Sequence, residues 1–206
     1  LRTDRVTKDA IQSIRLSRVR VPLQFAASDA KVLTGRQKPL EAVDVVVAEL
    51  ASAQGVEGMG FTYALRYGGA GQYAHACELA PLLLGEDPND IDRIWQKLIW
   101  AGASVGRSGI AVQAIAAFDT ALWDLKAKRA GLSVASLIGA HYDSLPVYNT
   151  SGGYLQASIE EVVEKAKISL ANGIKGIKMK VGQPDVATDL RRVEALRTAL
   201  GDDVPM

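Results

Sequence analysis

Apolar positions in the first third of the chain follow the two-residue period of β-strands. Apolar residues alternate with arginines from Ile14 to Leu23, and two further runs, Val43 to Leu50 and Val56 to Tyr63, are joined by a three-residue turn. Because successive side chains of a strand point to opposite faces, these runs predict three strands of a small antiparallel sheet. Residues 24–38 have no sustained period, so we expect a long loop there.

The middle of the chain has the apolar spacing of helices. Helices are predicted over Tyr73 to Leu84, over residues 89–99 and over Gly109 to Ala130, and a short helical turn is predicted around residues 135–137. The long third helix is apolar nearly all round in its first half, which predicts burial. The glycine-rich segment 66–71 lacks the spacing of a nucleotide-binding loop, so we expect a mobile loop.

Strand and helix patterns alternate after residue 140. A strand is predicted over 145–150, a helix over 158–170, a strand over 176–181 and a helix over 185–200. Ser158 followed by Glu161 forms a capping box, and the last helix is expected to bury Val186, Leu190, Val193, Leu196 and Leu200. This order predicts the opening of a (β/α) barrel or of a doubly wound sheet, with domains at 1–140 and 141–206.

Composition narrows the classes of function. The 206 residues include 24 lysines and arginines against 23 acidic residues, so no global basic field would hold nucleic acid or an anionic membrane. A single cysteine, Cys77, in a helical and apolar context excludes an internal disulfide and favours the cytoplasm. No signal peptide or membrane span is predicted. The chain starts at Leu1 and stops before a third predicted strand, so we expect it to be an N-terminal part of something longer.

Two lysines in the strand over 176–181 are the main candidates for chemistry. Alternation puts Lys178 and Lys180 on one face and Ile177, Met179 and Val181 on the other. A strand in a βαβ unit is normally buried on both faces, so both ammonium groups are predicted to face inward and to need anions. Two neighbouring cations disfavour each other's protonation, which brings a lysine closer to acting as a base at neutral pH. The alternative is a solvent-facing strand with two ordinary lysines.

Other polar residues carry weaker signals. Lys31, Lys38 and Arg66 could simply be solvated in their loops, and the two histidines, His75 and His141, have no metal-ligand partner at a suitable spacing. We therefore expect structural or surface roles for both histidines.

The long helix and the lysine strand together resemble a known family. Residues 117–128, AFDTALWDLKAK, followed by Gly131, Leu137 and Gly139, resemble the signature helix of the mandelate racemase subgroup of the enolase superfamily, and residues 177–182, IKMKVG, resemble its Lys-x-Lys strand. The resemblance implies an enolase-like fold, in which an α+β capping domain is followed by the start of a modified TIM (β/α) barrel.

Within that subgroup, residues 28–40, 85–92, 100–109 and 148–153 are similar to the L-talarate/galactarate dehydratases. This resemblance implies that Lys180 is the general base and that Lys178 assists the substrate carboxylate. It also implies that Asp29, Lys31 and Arg66 bind the distal part of a hexarate diacid. The implied reaction removes the proton next to a carboxylate and then water, leaving a keto-deoxy product.

The resemblance also implies a Mg²⁺ cofactor, whose ligands are expected beyond Met206, and a homo-oligomer. The chain alone is therefore expected to lack dehydratase activity. Racemisation, epimerisation or cycloisomerisation within the same superfamily remain alternatives, as does a noncatalytic binding or assembly role.

Overall fold

A computed structural model describes residues 9–150 and 152–206, which form two compact units. The first unit comprises residues up to Pro22 together with Ala42–His141, and the second comprises Leu23–Glu41 together with Tyr142–Met206. The predicted domain limits at 140 and 141 stay a prediction.

A three-stranded sheet in the order β1-β2-β3 contains β1 Ile11–Ala27, β2 Leu40–Ser52 and β3 Glu57–Leu65, and most of it belongs to the first unit. Strands β2 and β3 form the predicted antiparallel hairpin, in which Val43 pairs with Leu65 and Ala51 pairs with Glu57. Burial alternates residue by residue along β3 and along β2 from Asp44 onward, so one face of the sheet supplies the core of the unit.

The helices of the first unit pack on that buried face of the sheet or on one another. They are α2 Gly69–Leu79, which continues into a 3₁₀ helix Ala80–Leu83, then α3 Ile91–Ala101, α4 Ile110–Ala130 and the short α5 Val134–Leu137. The core contains Phe118, Leu122 and Leu125 of α4, which are almost fully buried as predicted. No helix among the described residues is long and apolar enough to cross a membrane.

Two glycines let α4 lie directly on β3. A Cβ atom on Gly58 would lie 2.2 Å from the carbonyl oxygen of Ala121, and one on Gly60 would lie 2.2 Å from that of Ala117. Real Cβ atoms do not approach so closely, so glycine at these two positions permits the contact between helix and sheet.

The second unit has a short parallel strand pair and two long helices. It contains α1 Ala30–Leu33, β4 Tyr148–Asn149, α6 Ile159–Ala171, β5 Gly176–Ile177 and α7 Val186–Leu200. Strands β4 and β5 pair in parallel, and the predicted capping box of Ser158 and Glu161 starts α6. Ala157, Val162, Ala166, Ile177 and Leu196 form its core.

The predicted boundaries of the first strand and of the loop after it were wrong. Strand β1 starts at Ile11, whose N–H donates to the Glu86 carbonyl, and it continues through Pro22 to Ala27. An edge strand tolerates a proline because one side of its backbone needs no partner. Residues 30–33 form a helical turn because the Asp29 carboxylate caps its first amides.

The glycine-rich segment is not the expected mobile loop, because Gly69–Gly71 form the first turn of α2. A Cβ on Gly69 would meet the buried Asp44 side chain at 2.4 Å, which explains the glycine. The predicted helix to Leu84 changes to a 3₁₀ helix at Ala80, where Pro81 cannot donate an N–H. Cys77 is exposed, not surrounded by apolar residues as expected.

The two strands predicted after residue 140 are shorter than expected, and α7 buries a different side. Each strand has two paired residues, Tyr148 with Gly176 and Asn149 with Ile177. On α7, Val186, Leu190 and Val193 are exposed, whereas Arg192 and Leu196 are buried. The predicted apolar stripe of this helix was therefore wrong at its first three positions.

Candidate active site

The two candidate lysines follow directly after β5, at the carboxyl end of the parallel strand pair. The segment stays extended there, because the N–H of Lys178 donates to the Asn149 carbonyl and the N–H of Lys180 donates to the Gly153 carbonyl, both at 2.8 Å. Ligand sites of α/β sheets lie at the carboxyl ends of strands, so this is the position at which a functional lysine is expected.

Side-chain alternation along this segment is as predicted up to Lys180. Ile177 is buried and Met179 packs partly against the same core cluster, which leaves the lysines on the opposite side. Among the described residues Lys178 is exposed and Lys180 is half-buried, and the inward direction of both ammonium groups stays a prediction. Val181 is also exposed.

Tyr154 is the nearest aromatic partner of Lys180, and sequence reasoning missed it. The Lys180 Nζ atom lies 5.1 Å from the centroid of the Tyr154 ring. A cation over an aromatic face at this distance is attracted by the ring quadrupole. The position of Tyr154 directly after Gly152 and Gly153, in the loop that follows β4, was the signal that could have found it.

Gly153 holds the loop that carries Tyr154 tightly against the lysine segment. A Cβ on Gly153 would lie 2.5 Å from the Lys178 carbonyl oxygen and 2.8 Å from the Met179 Cα. Any side chain at residue 153 would therefore push the two backbones apart.

Helix α7 ties together the two loops that follow β4 and β5. Buried Arg192 donates to the carbonyl oxygens of Ala157 and, at 2.9 Å, of Tyr154. The Asp189 Oδ2 atom accepts the N–H groups of Gly182 and Gln183 at 2.7 and 3.0 Å. The position of Tyr154 next to Lys180 thus depends on this helix.

Gln183 closes the same network, because its Nε2 atom donates to the Leu155 carbonyl at 2.7 Å. This bond joins the loop after β5 directly to the loop after β4.

Asp29 and Lys31 belong to the same unit as the lysine pair. The Asp29 Oδ1 atom accepts the N–H groups of Lys31 and Val32 at 3.0 and 3.1 Å, while the Lys31 side chain is exposed. A Cβ on Gly182 would lie 3.4 Å from the Ala30 Cβ, which is van der Waals contact. The helical turn that Asp29 caps therefore lies against the loop that follows Lys180.

The side chain of Gln156 fixes the chain that leads into α1. Its Oε1 atom accepts the Ser28 N–H at 3.3 Å, and its Nε2 atom donates to the Ala26 carbonyl at 3.1 Å. The loop after β4 thus positions Asp29 as well as Tyr154.

Arg66 lies in the first unit, between β3 and α2, and is half-buried. Its φ of +73° makes it a non-glycine residue in the left-handed region. Such backbone strain persists where the surroundings impose it, and it is common at functional sites.

The described part of the chain does not fit a metal site. Among residues 9–150 and 152–206, no three His, Cys, Asp or Glu side chains lie close enough together to hold an ion. His75 is buried, with Nδ1 3.4 Å from the Glu78 Oε2 atom, as expected for a structural residue. What the site offers is a pair of cations beside a carboxylate-capped turn, which suits an anionic, hydroxylated ligand.

Residues 25–139 match the family model described as "Mandelate racemase / muconate lactonizing enzyme, N-terminal domain". The L-talarate/galactarate dehydratase of Salmonella typhimurium is 59% identical over 205 residues, which is 100% of this chain and 52% of that protein. The 3,6-anhydro-alpha-L-galactonate cycloisomerase of Streptomyces coelicolor is 37% identical over 198 residues, 95% of this chain and 53% of that protein. The chain thus spans about half the length of these curated relatives.

Solved structures show the same similarity. The Salmonella typhimurium dehydratase liganded with Mg and L-lyxarohydroxamate superposes with a TM-score of 0.95, over 100% of this chain and 52% of that one. The L-talarate dehydratase of Polaromonas sp. JS666, complexed with Mg and L-glucarate, gives 0.92 at 56% identity, over 96% of this chain and 53% of that one.

Proposed function

The chain belongs to the mandelate racemase and muconate lactonizing enzyme family, and we propose that it carries the proton-abstracting lysines of an acid-sugar dehydratase of the L-talarate/galactarate type. The observation that carries this proposal is the placement of Lys178 and Lys180 together at the carboxyl end of β5, next to the turn capped by Asp29.

In this proposal Lys180 acts as the general base. Its neutral amine takes the proton from the carbon next to a carboxylate, and the electron pair of the broken C–H bond moves into that carboxylate. The electron pair then returns to form a carbon–carbon double bond as the bond between the neighbouring carbon and its hydroxyl breaks. The departing hydroxide takes up one proton, the equivalent of the proton that Lys180 removed, and leaves as water, and the enol tautomerises to the keto product. A positioned base of this kind contributes roughly 10²–10⁴-fold to the rate.

Lys178 places a second positive charge beside the first. Additional negative charge develops on the substrate carboxylate as the proton leaves. A fixed cation therefore stabilises the transition state more than it stabilises the bound substrate. The backbone of Lys178 is held by its hydrogen bond to Asn149, and its exposed side chain can contact a ligand.

The proposed substrate is a six-carbon diacid. Asp29 and Lys31 offer an acceptor for hydroxyls and a cation for the second carboxylate, and Arg66 offers another cation. Mg²⁺ is proposed as the cofactor of the full-length enzyme because the solved relatives contain Mg. Its ligands are not assigned to the described residues, which lack a fitting cluster.

The test uses the full-length protein with galactarate. Lys180→Ala is expected to lower formation of the keto product by at least about 10²-fold while leaving thermal unfolding unchanged. Lys175→Ala is the matched control, since Lys175 is an exposed lysine just before β5. Equal turnover by the wild type and Lys180→Ala would contradict the assignment of the base.

A cycloisomerase is the second candidate, because a cycloisomerase is 37% identical over nearly the whole chain. Both reactions begin with the same proton abstraction. Exchange of the α-proton with deuterated solvent without a keto product from galactarate would favour cycloisomerisation or racemisation over dehydration.

A further inference from the structure

The loop that follows the lysine segment is held by a carboxylate of α7. Asp189 lies in the first turn of that helix, and its Oδ2 atom accepts the N–H groups of Gly182 and Gln183 at 2.7 and 3.0 Å. The helix is capped by a different carboxylate, that of Asp185, which accepts two N–H groups of the first turn. Because Asp185 already caps α7, the Oδ2 atom of Asp189 serves the loop and not the helix.

The bonds to Asp189 fix the chain just beyond Lys180. The N–H of Lys180 donates to the Gly153 carbonyl at 2.8 Å, and the N–H of Gly182, two residues later, donates to Asp189. Lys180 is thus anchored on both sides, with only the exposed Val181 between the two anchors. Hydrogen bonds to a carboxylate are shorter and stronger than those between neutral groups, so the anchor after Lys180 is a firm one.

Gly182 is also the point at which this loop meets the turn that Asp29 caps. A Cβ on Gly182 would lie 3.4 Å from the Ala30 Cβ, and the φ of +123° favours glycine. Glycine at this position therefore lets the loop lie directly on α1. The backbone that Asp189 holds is the part of the loop that connects Lys180 with α1.

The other oxygen of Asp189 has no comparable role. Its Oδ1 atom is buried, and within the described part of the chain it has no hydrogen-bond partner. A buried oxygen without a donor costs free energy, and an apolar side chain at this position would avoid that cost. The gain that offsets it is the pair of N–H groups that Oδ2 accepts.

We propose that Asp189 is a positioning residue, which holds Lys180 and α1 at the separation that a six-carbon diacid requires. This inference rests on the proposed function, in which the base acts at one end of the substrate while Asp29 and Lys31 bind near the other. A misplacement of about 1 Å can cost 10²-fold in rate. A loop released at Gly182 would therefore slow proton abstraction and also weaken binding of the diacid.

The test compares the full-length wild type with three variants on galactarate. Asp189→Ala is expected to lower kcat/KM about 10- to 10²-fold, with KM raised at least about threefold. Asp189→Asn keeps one oxygen that can accept both N–H groups, so it should retain most of kcat/KM. Asp185→Ala is the matched control, since it removes the neighbouring capping carboxylate and leaves the bonds of Asp189 in place. It should lower thermal stability without changing KM.

A purely structural loss reduces the fraction of active enzyme, which lowers kcat but leaves KM unchanged. An unchanged KM in Asp189→Ala, or an equal rise of KM in Asp185→Ala, would therefore overturn the positioning role. So would a loss in Asp189→Asn as large as that in Asp189→Ala.

Hydrogen exchange followed by mass spectrometry tests the same role without turnover. In Asp189→Ala the segment 181–185 is expected to exchange at least about tenfold faster, as for the loss of a hydrogen bond to a charged group, and residues 30–34 should also exchange faster. Unchanged exchange in both segments would overturn the positioning role, whatever the activity. A wild type that does not turn over galactarate would instead overturn the proposed function.

Discussion

At the scale of single residues, the candidate site depends on the groups that hold Lys180 as much as on the lysine itself. Its backbone is bonded to Gly153, and its ammonium group lies over the ring of Tyr154. Tyr154 belongs to the loop that Arg192 holds through two carbonyl groups. The direction of the amine is therefore set by neighbours that come from three parts of the second unit.

We expect Tyr154→Leu in the full-length enzyme to lower kcat about two- to fivefold, the factor that corresponds to the 0.5–1 kcal/mol of an exposed cation–π contact. KM should change little, because the ring is assigned to the base and not to the substrate. Tyr154→Phe keeps the ring and should retain most of kcat. Steady-state kinetics on galactarate measures both constants.

The solvent exchange rate of the substrate α-proton separates positioning of the base from later steps. If Tyr154→Leu and Tyr154→Phe lower this exchange equally, the contact of the ring with Lys180 is not the reason for the effect.

At the scale of elements, α7 acts through a buried arginine rather than through the apolar stripe that its sequence suggests. Arg192 is buried because the loop of residues 154–157 presents carbonyl oxygens that need donors. Periodicity within one helix cannot reveal such a need, since the loop lies more than 30 residues earlier. The capping box of α6 was predictable because all its partners are local.

Arg192→Met is expected to lower the free energy of unfolding of the second unit by about 1–3 kcal/mol, because two carbonyl groups lose their donor. Arg191→Met changes the exposed neighbour on the same helix and should stay within about 0.5 kcal/mol of the wild type. Urea denaturation followed by circular dichroism compares the three proteins. Similar losses in both variants would argue against the proposed role of Arg192.

Asp124 of α4 joins that helix to the outer strand of the sheet. Its Oδ2 atom accepts the Met59 N–H and the Lys128 ammonium, each at 2.8 Å. Partial burial acts to raise the pKa of this carboxyl, but the hydrogen bonds from Lys128 and Met59 outweigh it, and the pKa falls below its usual 3.8. The ionised carboxylate therefore stabilises the folded state.

Because the folded-state pKa of Asp124 is lowered, its contribution is present above about pH 4 and is lost as the pH falls through that lower value. Asp124→Asn should cost about 1 kcal/mol of unfolding free energy at neutral pH, a modest figure because the pair is partly exposed. Urea midpoints at neutral pH and near pH 2 give the comparison. A difference between the two proteins that does not shrink in acid would show that charge is not responsible.

At the scale of the whole molecule, the predicted fold class is confirmed: a capping domain of the enolase type is followed by strand and helix units of a barrel. The long helix α4 was predictable from its apolar spacing. The placement of both lysines opposite Ile177 and Met179 was predictable from the two-residue alternation of a strand. The exposure of Lys178 was not predictable, because the sequence pattern of one strand does not show which part of the protein covers its second face. The predicted ends of the strands were wrong for a similar reason, because strand pairing depends on residues elsewhere in the chain.

Magnesium should not stabilise this chain by itself. The described residues offer no cluster of three metal-ligating side chains, so Mg²⁺ at about 10 mM is expected to shift the melting temperature by less than about 1 °C relative to NaCl of equal ionic strength. Differential scanning fluorimetry makes the comparison. A stabilisation of several degrees specific to Mg²⁺ would reveal a site in this chain.

If Arg66 binds the diacid as proposed, its left-handed backbone makes the stability of the first unit and diacid binding favour different residues at position 66. A residue with a Cβ at a φ of +73° costs the first unit about 1–2 kcal/mol relative to glycine. Glycine at position 66 would relieve this cost and would also remove the guanidinium. Selection for heat resistance would therefore favour glycine at position 66, whereas selection for diacid binding would favour arginine. A population selected for one of the two properties should lose part of the other.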